Sequence, residues 1–255
     1  MRIGIISFIY DVDSMSKEKI KMSRQVLHDS SCITEYLVRH IRQKDYFDCR
    51  RINFFCEPEK EKVSSKIMEC LNILEMYVYF DDNYFSWTNE KKQEYLYDLA
   101  YNSFHTLCQR KNWDFEVIKS KLEALKALNF CYSFDTGLRC TQNKVTVKLI
   151  GVQTMEEVSF YATSKKFGDR KFFVLESKPN VLDYDRFLGE LKWLDENTVA
   201  LLDRNKEVVK TIDLSDEINE AKAKNAQKEK ENLHKGRKEN LFHKIMRGLT
   251  KKFRK

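Results

Sequence analysis

Two pairs of aspartates stand where carboxylates can do chemistry. Asp11 and Asp13 follow the apolar run from Ile3 to Tyr10, and Asp81 and Asp82 follow the apolar Met76 to Phe80. Carboxylates at strand ends are what phosphoryl transfer requires: one to attack or move a proton, others to hold magnesium against the phosphate. The same residues also read as turn and capping groups, because Asp side chains readily accept backbone N–H bonds where strands end. Histidines offer no competing centre. His28, His40, His105, His234 and His243 contain no pair at metal-binding spacing, and His105 lies one step off an apolar helical stripe, as a partly buried boundary residue would. The seven cysteines are odd in number and form no C-x-x-C pair, so neither a disulfide framework nor a zinc site is indicated. All seven read as small buried hydrophobes.

Glycine usage narrows the chemistry further. The chain has seven glycines, and Gly4 is the only one before Gly137. Loops that bring backbone N–H groups onto phosphate need glycines, and neither G-x-G-x-x-G nor a P-loop pattern is present. The strand–Asp–x–Asp run at Asp11 and Asp13 resembles the nucleophile motif of haloacid-dehalogenase-like phosphatases. That resemblance implies a general acid at Asp13 and a metal-binding pair at Asp81 and Asp82. The chain departs from the pattern, with no glycine-flanked lysine loop between the pairs and an acidic pair that arrives early. The expectation is therefore a protein without catalysis, cofactor or metal, with Asp11, Asp13, Asp81 and Asp82 as the site of the enzymatic alternative.

Aromatics crowd the second aspartate pair in the run Met76 to Trp87, MYVYFDDNYFSW. Tyrosine and tryptophan supply stiff contact area, so this stretch is either core or a recognition loop displayed by packed rings. Tyr79, Asp81, Asp82, Tyr84 and Trp87 are the expected partner-binding residues.

The elements that must position them follow from periodicity. A strand is predicted over Ile3–Tyr10, a helix from Ser16 to about Leu27, a second helix over roughly 32–44, and a short strand from Arg51 to Cys56. Ile67, Cys70, Leu71 and Leu74 share a helical face; Met76–Phe80 reads equally as strand or buried helix. Leu96, Leu99, Ala100, Ser103, Phe104, Leu107 and Cys108 give one continuous buried stripe. Asp114 caps a further helix with Phe115, Ile118, Leu122 and Leu125 inside, and the short link makes the two a helical hairpin. From Asn129 the period becomes two, at Val145–Leu149, Val158–Ala162, Phe172–Val174, Leu191–Trp193, Val199–Leu201 and Val208–Val209. The class expected is α+β: a helical N-terminal half with its hairpin packed on a C-terminal antiparallel meander, all within residues 1–214.

Charge divides the chain. The formal net charge is +7, yet residues 221–255 carry thirteen Lys or Arg against three Glu, leaving residues 1–220 at −3. Residues 215–255 read as a charged linker and a basic amphipathic tail. In that tail Leu241, Phe242, Ile245, Leu249 and Phe253 line one face, with Lys244, Arg247, Lys251, Lys252 and Arg254 around it. Such a segment suits an anionic membrane surface, and less well nucleic acid, since no aromatic-interleaved RNA-binding pattern is visible. No apolar run approaches a membrane span, and the first residues run from a short apolar stretch straight into acids, so no secretory leader is expected and the expected location is the cytoplasm, peripheral at the inner membrane face.

Residues 89–213 weakly resemble, in layout, the immunity proteins that accompany bacterial polymorphic and contact-dependent toxins. The resemblance lies in the helix ending Leu107-Cys108, the helix opened by Trp113-Asp114, and the meander containing Leu188-Gly189-Glu190-Leu191-Lys192-Trp193. It implies a cytosolic protein that neutralises a toxin partner by surface complementarity.

Overall fold

The computed structural model describes residues 4–10, 16–41, 47–63, 66–224 and 227. The class is α+β and includes antiparallel sheets, but the N-terminal half is built on a sheet as well as on helices. β1 (Ile5–Tyr10) leads through α1 (Lys17–His40) to β2 (Arg51–Glu57), which pairs parallel to β1. β3 (Ile67–Cys70) turns back into β4 (Ile73–Tyr79), and β4 lies parallel to β2, giving the order β1-β2-β4-β3. Parallel neighbours need a crossover, which α1 supplies for β1 and β2. Central parallel strands are covered on both faces, and Ile52, Asn53, Phe54, Cys56 and Glu57 of β2 are all buried.

Two helical readings are corrected here. Residues 17–40 form one helix where two were expected, capped by Ser16. The polar His28-Asp29-Ser30-Ser31 looks like a break, but the Ser30 and Ser31 hydroxyls donate back to the Leu27 carbonyl at 3.3 and 2.6 Å, and the helix continues. The supposed helical face of Ile67, Cys70, Leu71 and Leu74 is a hairpin. Leu71 and Asn72 sit at φ 50° and 66°, a two-residue turn whose usual glycine is missing, which hid the signal.

α2 (Asn89–Lys111) buries the stripe its periodicity marks, from Leu96 to Cys108, with Thr88 accepting from the Lys91 N–H at its start. α3 (Phe115–Ala127) begins at the Asp114 cap and buries Ile118, Leu122 and Leu125. The helices and the mixed sheet enclose a first core in which Phe8 stacks on Phe54 and Phe54 meets Phe104 edge-on at 5.0 Å.

The C-terminal strands form two antiparallel sheets. β5 (Tyr132–Gln142), β6 (Val145–Gln153), β7 (Val158–Thr163) and β8 (Lys171–Ser177) make one in sequence order. After the short α4 (Val181–Tyr184), β9 (Glu190–Trp193), β10 (Thr198–Leu202) and β11 (Val208–Asp213) make the other. β5 carries a bulge between Asp135 and Arg139, with Gly137 at φ 85°, yet its side chains alternate along the whole strand; the half-buried positions include the polar Thr136 and Gln142, so the strand escapes a period-two hydrophobic reading. The sheets share a second core of Val147, Leu149, Phe160, Leu191, Leu201 and Ile212. Residues 215–224 are helical and Ile218 is buried in that core, so the packed body passes the boundary expected at 214.

α1 joins the two cores. Arg39 lies with its guanidinium 3.8 Å from the Phe134 ring centre, bonds the Tyr184 hydroxyl at 2.9 Å and pairs with Glu35 at 3.3 Å. The Asn180 amide donates to Ser31 at 3.0 Å. Among the described residues no helix is long and apolar enough to cross a membrane. Leu241–Arg254, expected to bind an anionic surface, lie outside the described residues, as do Asp11 and Asp13.

Candidate functional site

Strand register brings the acidic turn to the carboxyl ends of the parallel strands. Tyr10, Cys56 and Val78 are level across β1, β2 and β4, so the chain leaves all three on the same edge. In open sheets with parallel strands that edge is where ligands are met. Asp81 accepts from the Asn83 N–H at 2.9 Å and so opens a 3-10 turn over Asp82–Ser86. Asp82 is exposed and accepts a 2.5 Å hydrogen bond from the Tyr10 hydroxyl. The Asp81 N–H donates to the Tyr95 hydroxyl at 2.8 Å.

Rings beneath the turn hold it in place. Tyr84 packs against Phe80, Phe85, Trp87 and Tyr95, and Tyr10 meets Phe85 edge-on. Tyr84 is completely buried, and its hydroxyl donates to Asp29 of α1 at 2.6 Å. Burial, reinforced by the Asp29 charge, raises the Tyr84 hydroxyl far above an ordinary phenol, and burial raises Tyr95 likewise, so both stay protonated. Tyr84 therefore supports the turn from within, and its expected place among partner contacts is corrected. Tyr79 is 39% exposed with Lys60 over its ring, and Trp87 is half-buried with the Lys91 ammonium 4.1 Å from its ring centre.

Beside the turn runs a groove of about 640 Å³ that no pattern along the chain had marked. Its walls come from α1 (Gln25, Asp29), the first turns of α2 (Asn89, Lys92), the Asn129–Cys131 bend, and the β6–β7 turn (Thr154 to Glu157). The Asn89 amide donates to Glu156 at 2.7 Å and ties α2 to that turn. Burial and then the neighbouring Glu176 hold the Glu157 carboxyl above the usual carboxylate range. Lys92 lies in the same groove, so its lining carries charges of both signs.

The enzymatic alternative meets a divided result. The Tyr10–Asp82 bond places the end of β1 beside Asp82, while Asp11 and Asp13 are not among the described residues. Among the described residues no three His, Cys, Asp or Glu side chains gather as a metal would require.

The cysteine and histidine expectations need adjustment. Cys32, Cys49, Cys56 and Cys108 are buried, but Cys70 and Cys131 are exposed and Cys140 is intermediate. Burial pushes the Cys49 thiol up to about 12 and Cys140 to about 11, and raises Cys32 and Cys56 further still, so these four are poor nucleophiles. His105 is exposed, against the Phe115 ring. Comparison with protein-family models, curated proteins and solved structures finds no match.

Proposed function

We propose that this chain is a non-catalytic protein-binding protein whose recognition site is the acidic turn at Asp81 and Asp82 with the adjoining groove. The observation that supports it best is preorganisation. Tyr10, Tyr84 and Tyr95 tie the turn and its neighbour Asp29 through side chains locked in a ring cluster. A carboxylate surface that is already rigid loses little entropy on binding, which is how stiff recognition sites gain affinity. The partner that fits is a protein with a basic surface. Electrostatic complementarity then speeds encounter and selects against other acidic proteins. This is the role the immunity-protein resemblance implies: a cytosolic inhibitor that covers a basic toxin. In it, the basic segment 235–255 would tether the inhibitor to the anionic inner face of the membrane.

The test is isolation of the tagged full-length chain from its native cells, beside Asp81→Asn/Asp82→Asn. Asparagine keeps the oxygen that accepts from Asn83 or Tyr10 and removes only the charge. The expected result is one stoichiometric protein partner, held at about 0.1 M salt, released as salt screens the interaction, and lost from the double variant. Equal retention by the variant defeats the proposal.

One observation favours a second reading: the Tyr10–Asp82 bond draws the end of β1 to the acidic pair. Magnesium-dependent hydrolysis of p-nitrophenyl phosphate, abolished by Asp11→Asn, would replace the binding reading with phosphoryl transfer.

A further inference from the structure

The outer face of the β5-β6-β7-β8 sheet is a different surface from the acidic turn. Alternation sends Val147, Leu149, Phe160 and Ala162 into the second core and their neighbours outward. Cross-strand register aligns Asp135, Ile150, Tyr161 and Phe173 in one outward row. The next row, toward the β5–β6 turn, is Arg139, Lys148, Thr163 and Lys171. Phe173 is 52% exposed, and its ring meets Tyr161 at 5.9 Å and 71°. At the same end of the sheet, Lys144, Lys165 and Lys166 are exposed. Arg170 there is engaged by Glu217 and Glu220, whereas Arg139, Lys148 and Lys171 enter no ion pair among the described residues. On the opposite side of the aromatic row the sheet carries Glu176, level with Ser159.

We infer that this face binds single-stranded nucleic acid, with bases stacked on Tyr161 and Phe173 and the phosphate backbone following Arg139, Lys148 and Lys171. The rows are two residues apart along β6, β7 and β8, about 7 Å, so a base on one row leaves its phosphate near the other. Stacking on aromatic side chains needs an open base face, which a duplex hides and a single strand offers. The charge gradient sets the orientation, because phosphate is drawn toward the basic row and repelled by Glu176. The chain's own basic segment 235–255 fits worse, because it would bring like charge onto the basic row. The pattern is invisible along the sequence. Bulges at Asp135/Arg139 in β5 and at Phe160/Tyr161 against β8 decide which side chains share a row.

The experiment is fluorescence anisotropy of labelled oligo(U) and oligo(dT) of about twelve nucleotides, within the usual site size of such proteins. A duplex of the same length and the full-length protein complete the set. Both single strands are expected to bind, and Phe173→Ala or Tyr161→Ala to weaken them about tenfold each. Phe173→Trp should restore stacking and affinity. Lys148→Gln with Lys171→Gln should lower the slope of log K against log salt by about 1.4, two phosphates' worth. Duplex binding, which segment 235–255 can provide by charge alone, should not respond to the aromatic variants. The inference is overturned if wild type ignores single strands at low salt, or if Phe173→Ala binds them as wild type does. It is also overturned if sedimentation reveals a dimer that Phe173→Ala dissociates.

Discussion

Arg39→Met tests the joint between the two cores. Methionine keeps the apolar length of the side chain but removes the charge, and with it the bond to Tyr184, the pair with Glu35 and the contact over Phe134. The Arg39 and Glu35 side chains are 25% and 18% exposed, so Glu35 would be left with little water and no counter-charge. Breaking a fully buried pair costs about 3–5 kcal/mol; the residual exposure here lowers that to about 2–3 kcal/mol. That is a large part of a stability of about 5–15 kcal/mol. Glu35→Gln with Arg39→Met removes both charges and should recover most of the loss. The pH dependence has a definite sign. Burial already holds the Glu35 carboxyl above its ordinary value, with Arg39 pulling it back. Without Arg39 it rises further, so the folded state binds the proton more tightly than the unfolded chain. Stability contributed by such a group falls as pH rises from the unfolded pKa through the folded one. The Arg39→Met deficit should therefore be full near pH 7 and shrink toward about pH 5. Urea midpoints and slopes at both pH values measure this. A deficit below about 1 kcal/mol, or one that grows on acidification, refutes the reasoning.

Further expectations follow from local geometry. Tyr84→Phe removes one charge-assisted bond to Asp29 while keeping the ring packing, and should cost about 1.5–3 kcal/mol in urea unfolding; a neutral effect would mean that the hydroxyl does not hold the turn. Gly151→Ala would place a methyl 2.3 Å from the Phe134 ring, which must then move out from under Arg39. A loss of about 1–3 kcal/mol is expected, and an unchanged thermal midpoint would contradict the packing. Iodoacetamide should label Cys70 and Cys131 first, Cys140 slowly and faster at high pH, and the four buried cysteines only on unfolding; mass spectrometry of digests reads the order.

What the sequence revealed, and what it hid, follows from how local each signal is. The α2 stripe is legible because seven apolar or small positions repeat within one helix. The parallel sheet is not, because pairing of β1 with β2 depends on a crossover through 24 residues of α1. Turns at Leu71-Asn72 and Asn143-Lys144 adopt positive φ without glycine, so the punctuation that marks hairpins is missing. At the candidate site the acidic pair was visible from residue type. Burial of Tyr84 was not, since its partner Asp29 stands 55 positions away. Glu156 and Glu157 reach the groove through the β6–β7 turn, where Glu156 meets Asn89 from 67 positions away along the chain.

The central claim, that the acidic turn is a protein-binding site, is tested most directly by site-specific photocrosslinking in the native cell. A photoreactive residue replaces Asn83, which is exposed beside Asp82, with Lys206 on the far β10–β11 turn as the control position. The account predicts one discrete covalent adduct with a basic protein from position 83, lost on Asp81→Asn/Asp82→Asn, and none from position 206. No adduct at position 83, or one that persists without the two charges, would contradict it.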